Sequence, residues 1–228
     1  DLFKLLSSRS ISIPPLKQYR PTRDLLHVSG LLLTGDTLDV FVCHLPSRSG
    51  GAKESESYRL YAAHILRMEV DSIMSIRSLP QVIIMGDFND YPTNQSIQKI
   101  LEAEAPPVTT NNLASTTGST NFSTVAPSSL KLYHLLARKA KSKDFGSYKY
   151  RGEWGLLDHL IVSGTLLNQS NHFFTSEEKA NVCLLPFLLK DDEKYGDKEP
   201  FRTYKGMKYQ GGVSDHLPIY ADFELILY

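Results

Sequence analysis

An apolar run that ends in carboxylates raises the question of chemistry in this chain. Val82–Met85 leads into Gly86, Asp87, Phe88, Asn89 and Asp90, and Pro92 then stops the run. Carboxylates at the carboxyl end of a buried strand stand where α/β folds place their ligand sites. Asp87, with Asn89 two residues on, can coordinate or orient around a cation or a phosphate. Taken alone, the same residues also spell an ordinary Asp/Asn turn.

Three further clusters shift that balance. In VFVCHLPSRSGG, His44 ends a strand-like run and is followed by Ser47, Arg48 and a glycine pair. A His in that place is often structural, but beside an Arg and a flexible turn it can face an anionic ligand. In EWGLLDHLIVS, Asp158 sits inside an apolar strand, where a carboxylate is costly unless paired. Its neighbour His159 points to the opposite face, so the partner must come from elsewhere. In GGVSDHLPIYADF, Asp215 and His216 stand just before the last apolar run. An Asp158–His216 pair would hold an imidazole charged and oriented for phosphate chemistry.

The elements that must position these residues follow from periodicity. DLLHVSGLLL and TLDVFVCHL, separated by Thr34, Gly35 and Asp36, predict a β-hairpin that turns at Gly35-Asp36. Between Glu54 and Ser78, Tyr58, Tyr61, Ala62, Ile65, Leu66, Ile73 and Ile76 recur at helical spacing, which predicts a long amphipathic helix. QVIIMG reads as a short strand buried on both faces, as when helices cover a sheet. Asn94 is the expected N-cap of a helix NQSIQKILEA, and SLKLYHLLARKA reads as helical. PPVTTNNLASTTGSTNFSTVAPSS has the composition of a long loop. GSYKYRG and LLDHLIVS read as strands. PIYADFELIL predicts one half-buried strand with Ile219, Ala221, Phe223, Leu225 and Leu227 on one face. Asp191 to Gly212 reads as a surface excursion. Strands mixed with helices imply an α/β or α+β fold with layered sheets.

Composition limits the partners. The 228 residues, 41% hydrophobic, can bury a substantial core, and 25 basic against 25 acidic side chains leave no net charge to draw the chain towards nucleic acid or anionic membrane. A local basic cleft is compatible with that balance. Cys43 and Cys183 fit neither a disulfide framework nor a metal-ligand spacing. No apolar run is long enough to span a membrane, no secretory signal opens the sequence, and a monomer is expected. The chain does not begin with Met, so a processed or truncated product is expected. The compartment stays open, a secreted or periplasmic setting included. Tyr148, Tyr150, Trp154 and Tyr204 are candidates to stack on a base or a sugar, although strand aromatics more often pair across strands.

Together, GDFND, the HLPSR element, the LLDHLIVS strand and SDHLP, in this order along the chain, resemble the endonuclease/exonuclease/phosphatase superfamily of DNase I-like proteins. KYRGEWGLLDHLIVS and PFRTYKGMKYQGGVSDHLP are most similar to uncharacterised bacterial members of the Bacteroides type. The resemblance implies one domain over residues 1–228: a four-layer sandwich of two packed mixed β-sheets flanked by helices, its active site at one end of the sheets. It implies a phosphoester hydrolase that uses Mg²⁺ or Mn²⁺, above all a phosphodiesterase or endonuclease, so that nucleic acid is among the candidate substrates. A phosphomonoesterase, a sphingomyelinase-like phospholipase C and a degenerate member that only binds phosphorylated ligands are the alternatives.

By the same resemblance, His216 matches the histidine at the scissile phosphate and Asp158 the carboxylate that holds it. Asp87 matches the residue that activates or orients the attacking water and also borders the metal. Asn89 matches the amide that stabilises the transition state, and Asp215 a metal-site carboxylate. His44 matches an acid or phosphate ligand, while Ser47, Arg48 and Arg23 are candidate substrate contacts. Members of the superfamily begin with a strand carrying an Asn, then a Glu that is the principal metal ligand. The first Glu here is Glu54, on the predicted helix. The expectation is therefore a domain that lacks its N-terminal portion, with an incomplete metal site and weak or no activity from this chain alone.

Overall fold

The computed structural model describes residues 2–17, 19, 21–108 and 127–227. In chain order its first eight strands are β1 (Phe3–Ile11), β2 (Leu25–Leu32), β3 (Thr37–His44), β4 (Gln81–Asp87), β5 (Leu132–His134), β6 (Tyr148–Tyr150), β7 (Glu153–Gly155) and β8 (Asp158–Ser163). Six of them form one sheet in the order β1-β2-β3-β4-β8-β5, while β6 and β7 make a separate ribbon. Short antiparallel ribbons complete the β structure: β9 (Phe173–Phe174) with β16 (Glu224–Leu225), β10 (Ala180–Val182) with β15 (Ile219–Ala221), β11 (Leu189–Asp191) with β12 (Lys198–Pro200), and β13 (Tyr204–Lys205) with β14 (Lys208–Tyr209). The architecture is mixed α/β, a large sheet with few helices.

The β2–β3 hairpin turns where the sequence places it. Gly35 adopts φ 87°, a left-handed conformation glycine enters without steric cost, and the Leu32 N–H donates to the Asp36 carbonyl at 2.9 Å. The predicted helix is α1 (Glu56–Ile76), and its crossover sets β4 parallel to β3. Ala62, Leu66, Val70 and Ile73 form its buried stripe, whereas Ile76 at the end is exposed. Fully burying a side chain such as Leu66 contributes about 1.5–3 kcal/mol.

β4 is buried on both faces, as its unbroken apolar run requires. Val82 and Ile84 join the core beneath α1 with Phe41, Leu66 and Ile161, while Ile83 joins a second core with Leu160, Val162, Val182 and Leu217. The layers are therefore helix, sheet, and the ribbons of the opposite face.

Three sequence expectations are corrected here. NQSIQKILEA does not continue as an α-helix: Ser96–Ile100 form one wide π turn, closed by the Leu101 N–H on the Ser96 carbonyl and ended by Glu102 at φ 53°. Asn94 does not cap it; its Oδ1 instead accepts the Tyr91 N–H at 2.6 Å. SLKLYHLLARKA is not helical either, because Leu132–His134 pair with β8, and only Lys139–Lys141 make a short 3₁₀ turn. Sheet pairing outweighs a weak local propensity at that site. The final run is split: Ile219–Ala221 pair with β10 and Glu224–Leu225 with β9, and Leu227 is exposed. The Asp191–Gly212 segment is mostly exposed, as a surface excursion should be, and carries short ribbons, with Asp192 buried against Lys149 at 3.2 Å. Most of the Ser/Thr/Asn-rich loop lies outside the described residues.

Candidate active site

Strand register brings the chemistry together. His44 lies opposite Asp87 in the parallel β3–β4 pair, and Asp87 opposite Asp158 in the antiparallel β4–β8 pair. Three side chains from distant parts of the sequence thus stand side by side at one end of the sheet, with His44 Nε2 3.5 Å from Asp87 Oδ2. Their closeness depends on Gly86, whose φ of 129° and lack of a side chain let β4 lie against β3. A Cβ there would fall 2.0 Å from the Cys43 carbonyl oxygen.

His216 reaches this row from the segment before β15, tied to the β6 ribbon by a backbone bridge between Tyr148 and His216. Its Nδ1–H donates to Asp158 Oδ2 at 2.6 Å, which leaves Nε2 for a ligand. The same carboxylate oxygen accepts from Ser147 Oγ at 2.5 Å, and Ser147 is fully buried. Donor atoms of Asp87, Asp158 and His216 all lie within 4.8 Å of one another.

The electrostatics separate the two imidazoles. Burial opposes charge on His216, but the hydrogen bond and charge of Asp158, with Asp87 and Asp215 adding, hold its pKa above the ordinary range. His44 is pushed the other way: burial lowers its pKa, and the charges of Arg23 and His216 add to that despite Asp87 beside it. Asp87 itself is raised, first by burial and then by the charge of Asp158, against the N–H bond from Asn89 and the two histidines. One imidazole pushed towards its charged form and one towards its neutral form, beside the same pair of carboxylates, is a pattern of roles set apart by environment.

The loop after β4 is braced from several sides. Asn89 sits at φ 52°, a conformation that Asn tolerates better than most residues, and its N–H donates to Asp87 Oδ1 at 2.7 Å. Its amide Nδ2 donates to the Leu45 carbonyl at 3.1 Å and to Asp87 Oδ2 at 3.2 Å. In this geometry Asn89 orients Asp87. Asp90 turns inward instead: its Oδ1 lies 2.7 Å from the fully buried Arg59 guanidinium, and its Oδ2 accepts from Ser96 Oγ at 2.7 Å. The Asp90 carbonyl lies 2.8 Å from His159 Nε2, and His159 Nδ1 2.5 Å from His134 Nε2. Because His134 Nδ1 accepts the Leu136 N–H, one tautomer satisfies the whole chain: His134 donates to His159, and His159 to Asp90. Burial holds both histidines neutral, His159 down to about 4.

The remaining candidates spread outward. Arg23 is exposed at the rim, near enough for its charge to act on His44. Ser47 is exposed and accepts the Ser49 N–H at 3.2 Å. Arg48 lies over the Tyr91 ring, 4.8 Å from its centroid. Asp215 is exposed and stands outside the converging trio. Sequence reasoning missed Ser147, Arg59 and Tyr91, none of which carries a motif; only the buried strand position of Asp158 hinted that a second donor was needed.

Asp87 and Asp158 suit a hard divalent cation. Carboxylate oxygens are its preferred donors, and the burial and the Asp158 charge that together raise Asp87 are both offset by such an ion. A cavity of about 900 Å³ lies to one side: Tyr91, Trp154 and Gly155 line it, but none of His44, Asp87, Asn89, Asp158 or His216 does.

Comparison with known proteins places the chain in a family and gives its fold. The model of a family described as Endonuclease/Exonuclease/phosphatase matches residues 1–225. None of the curated proteins matches the sequence. Among solved structures, the fold is shared with the mannosyl-6-phosphatase of Bacteroides thetaiotaomicron (14% identity, TM-score 0.54), covering 97% of this chain and 67% of that one. It is shared with Danio rerio TDP2 complexed with a single-strand DNA product (15% identity, TM-score 0.52), covering 97% and 68%. It is also shared with the human Nocturnin catalytic domain (19% identity, TM-score 0.50), where the match covers 98% of this chain and 60% of the other. The chain thus spans about two thirds of the length of these neighbours or less.

Proposed function

Because the chain belongs to the endonuclease/exonuclease/phosphatase family, we propose that it hydrolyses phosphoesters, phosphodiesters foremost, with a divalent cation such as Mg²⁺ or Mn²⁺. The observation that carries this reading is the convergence of Asp87, Asp158 and His216 within 4.8 Å at the ends of adjacent strands, with His44 alongside. Asp87 and Asp158 would hold the cation, which when bound supplies positive charge to the phosphoryl oxygens.

The residues divide the rest of the work. A phosphoester is anionic and repels a nucleophile, so the site must offset its charge, place a water in line and stabilise the charge that develops. His216, kept protonated by Asp158, presents Nε2–H to a phosphoryl oxygen. Asp87 orients the attacking water and accepts its proton as the bond from water oxygen to phosphorus forms and the bond to the leaving oxygen breaks. Asn89 fixes Asp87, and it can address the phosphate only by exchanging its bond to that carboxylate. His44, beside Asp87, is placed to contact a phosphoryl oxygen, with Arg23, Ser47 and Arg48 at the rim for substrate contact, and the leaving oxygen takes its proton from water. Asp215 adds negative charge beside His216.

The neighbours support phosphoester chemistry of more than one kind, a TDP2 bound to a DNA product and a sugar phosphatase among them. The test is Mg²⁺-dependent nicking of supercoiled plasmid by the full-length protein, beside release of phosphate from simple monoesters. Nicking abolished both by EDTA and by His216→Ala supports the phosphodiesterase reading; monoester turnover with intact plasmid replaces it with a phosphomonoesterase. Turnover of neither, with phosphate binding retained, would leave a phosphate-binding protein.

A further inference from the structure

Phosphate chemistry accounts for His44, Asp87, Asp158 and His216 but not for the aromatic wall beside them. Tyr148 packs its ring against His216, with centroids 4.9 Å apart. Tyr150, two residues along β6 and so on the same face, is nearly parallel to Tyr148 with centroids 6.5 Å apart. The Arg151 guanidinium lies 5.2 Å from the Tyr150 ring centroid. Across the ribbon, Gly155 is the register partner of Tyr148, and a Cβ there would come within 2.6 Å of the Tyr91 ring. Glycine thus lets Tyr91, with Arg48 above it, lie against the ribbon.

Pairing within the ribbon does not explain these rings. Tyr148 faces Gly155 and Tyr150 faces Glu153, and the aromatic partner of Tyr148 across the neighbouring bridge is His216 itself, the residue placed at the phosphate. The ribbon is instead held from its other face, where Lys149, beside Trp154, is buried in an ion pair with Asp192. The wall is firmly supported yet open, with Tyr150 57% and Tyr91 37% exposed. Tyrosine offers a large, rigid stacking surface at small cost in side-chain entropy.

We propose that Tyr148, Tyr150 and Tyr91 form a subsite for a ring carried by the phosphoester at His216, a sugar ring or a nucleobase borne on one, so that ring-bearing phosphoesters are the substrate class. The proposal rests on the phosphoester reading of the site. Rings stack on aromatic faces, and Arg48 and Arg151 at the two ends of the wall suit a ligand that is itself anionic.

The test is calorimetric titration of the full-length protein with adenosine monophosphate, a hexose phosphate and glycerol phosphate in Mg²⁺ buffer. Hydrolysis of the same three compounds is recorded in parallel. At least one ring compound should bind more tightly than glycerol phosphate, and the nucleotide and sugar arms identify the ring. Tyr150→Ala, an exposed change that leaves the ribbon's buried anchor intact, should cut that affinity roughly 5- to 100-fold and collapse the preference over glycerol phosphate. Equal affinity for all three, or a preference that survives Tyr150→Ala and Tyr148→Ala, overturns the subsite. Ring-selective binding without hydrolysis would sink the hydrolase reading alone, and hydrolysis without ring preference would sink the subsite alone. Absence of phosphate binding would sink both.

Discussion

At the scale of single residues, the site is a set of side chains whose states are fixed by neighbours the sequence does not announce. Ser147 is the clearest case. It donates to Asp158 Oδ2 at 2.5 Å, beside the bond from His216, so it shares in setting the carboxylate that orients the imidazole. Ser147→Ala is expected to lower kcat/KM roughly 2- to 10-fold, the kinetic equivalent of one neutral hydrogen bond, while Ser147→Thr should retain more of the activity. Asp158→Asn removes the charge that holds His216 protonated, and its kcat should fall about 10²–10⁴-fold with a smaller change in KM. Steady-state kinetics on one phosphodiester checks both, and equal kcat for Asp158→Asn and the parent would refute the assigned pairing. Asp87, Asn89, Asp158 and His216 were legible in the sequence because each ends or interrupts an apolar run. Ser147 was not, since a serine inside GSYKYRG looks like any strand residue.

At the scale of elements, two features carry the site. The first is the β3–β4–β8 register, which needs Gly86: Gly86→Ala meets both a positive φ and the Cys43 carbonyl, and should cost about 3 kcal/mol or more in chemical unfolding. The second is a buried polar knot away from the site, where Arg77, just past the end of α1, binds Asp39 of β3 at 2.9 Å and Ser29 of β2 at 3.0 Å, with His27 on the same carboxylate. Burial alone would raise the Asp39 pKa, but the bonds from Arg77, Ser29 and His27 outweigh it and leave it lowered. A carboxylate with a depressed folded-state pKa contributes stability that is present above its unfolded value of about 3.8 and lost as pH falls through the folded value. Urea midpoints measured from neutral pH downwards should therefore drop more steeply below about pH 4 in the parent than in Asp39→Asn. Asp39→Ala should cost about 1–3 kcal/mol, because it leaves the buried His27 and the partly exposed Arg77 without their shared acceptor. The hairpin, α1 and β4 were readable from period alone. The strand Leu132–His134 was not, because its local residues favour a helix and its pairing partner lies far along the chain.

At the scale of the whole molecule, the sequence showed the architecture more clearly than the connections within it. Apolar periodicity separates helix from sheet, but it does not say that a helix-like SLKLYHLL will add the edge strand β5, nor that the last apolar run will be shared between two ribbons. Those outcomes depend on which edges remain open once the central strands have paired. The balanced charge of the chain leaves recognition to the local groups at the site rather than to a global field. The most direct test of the account is turnover of a chromogenic phosphodiester by the full-length protein, with and without Mg²⁺, beside His216→Ala. The account predicts turnover that needs the metal, returns when excess Mg²⁺ follows EDTA, and is lost in a His216→Ala protein that still melts like the parent. Metal-independent turnover, or a His216→Ala variant as active as the parent, would contradict it.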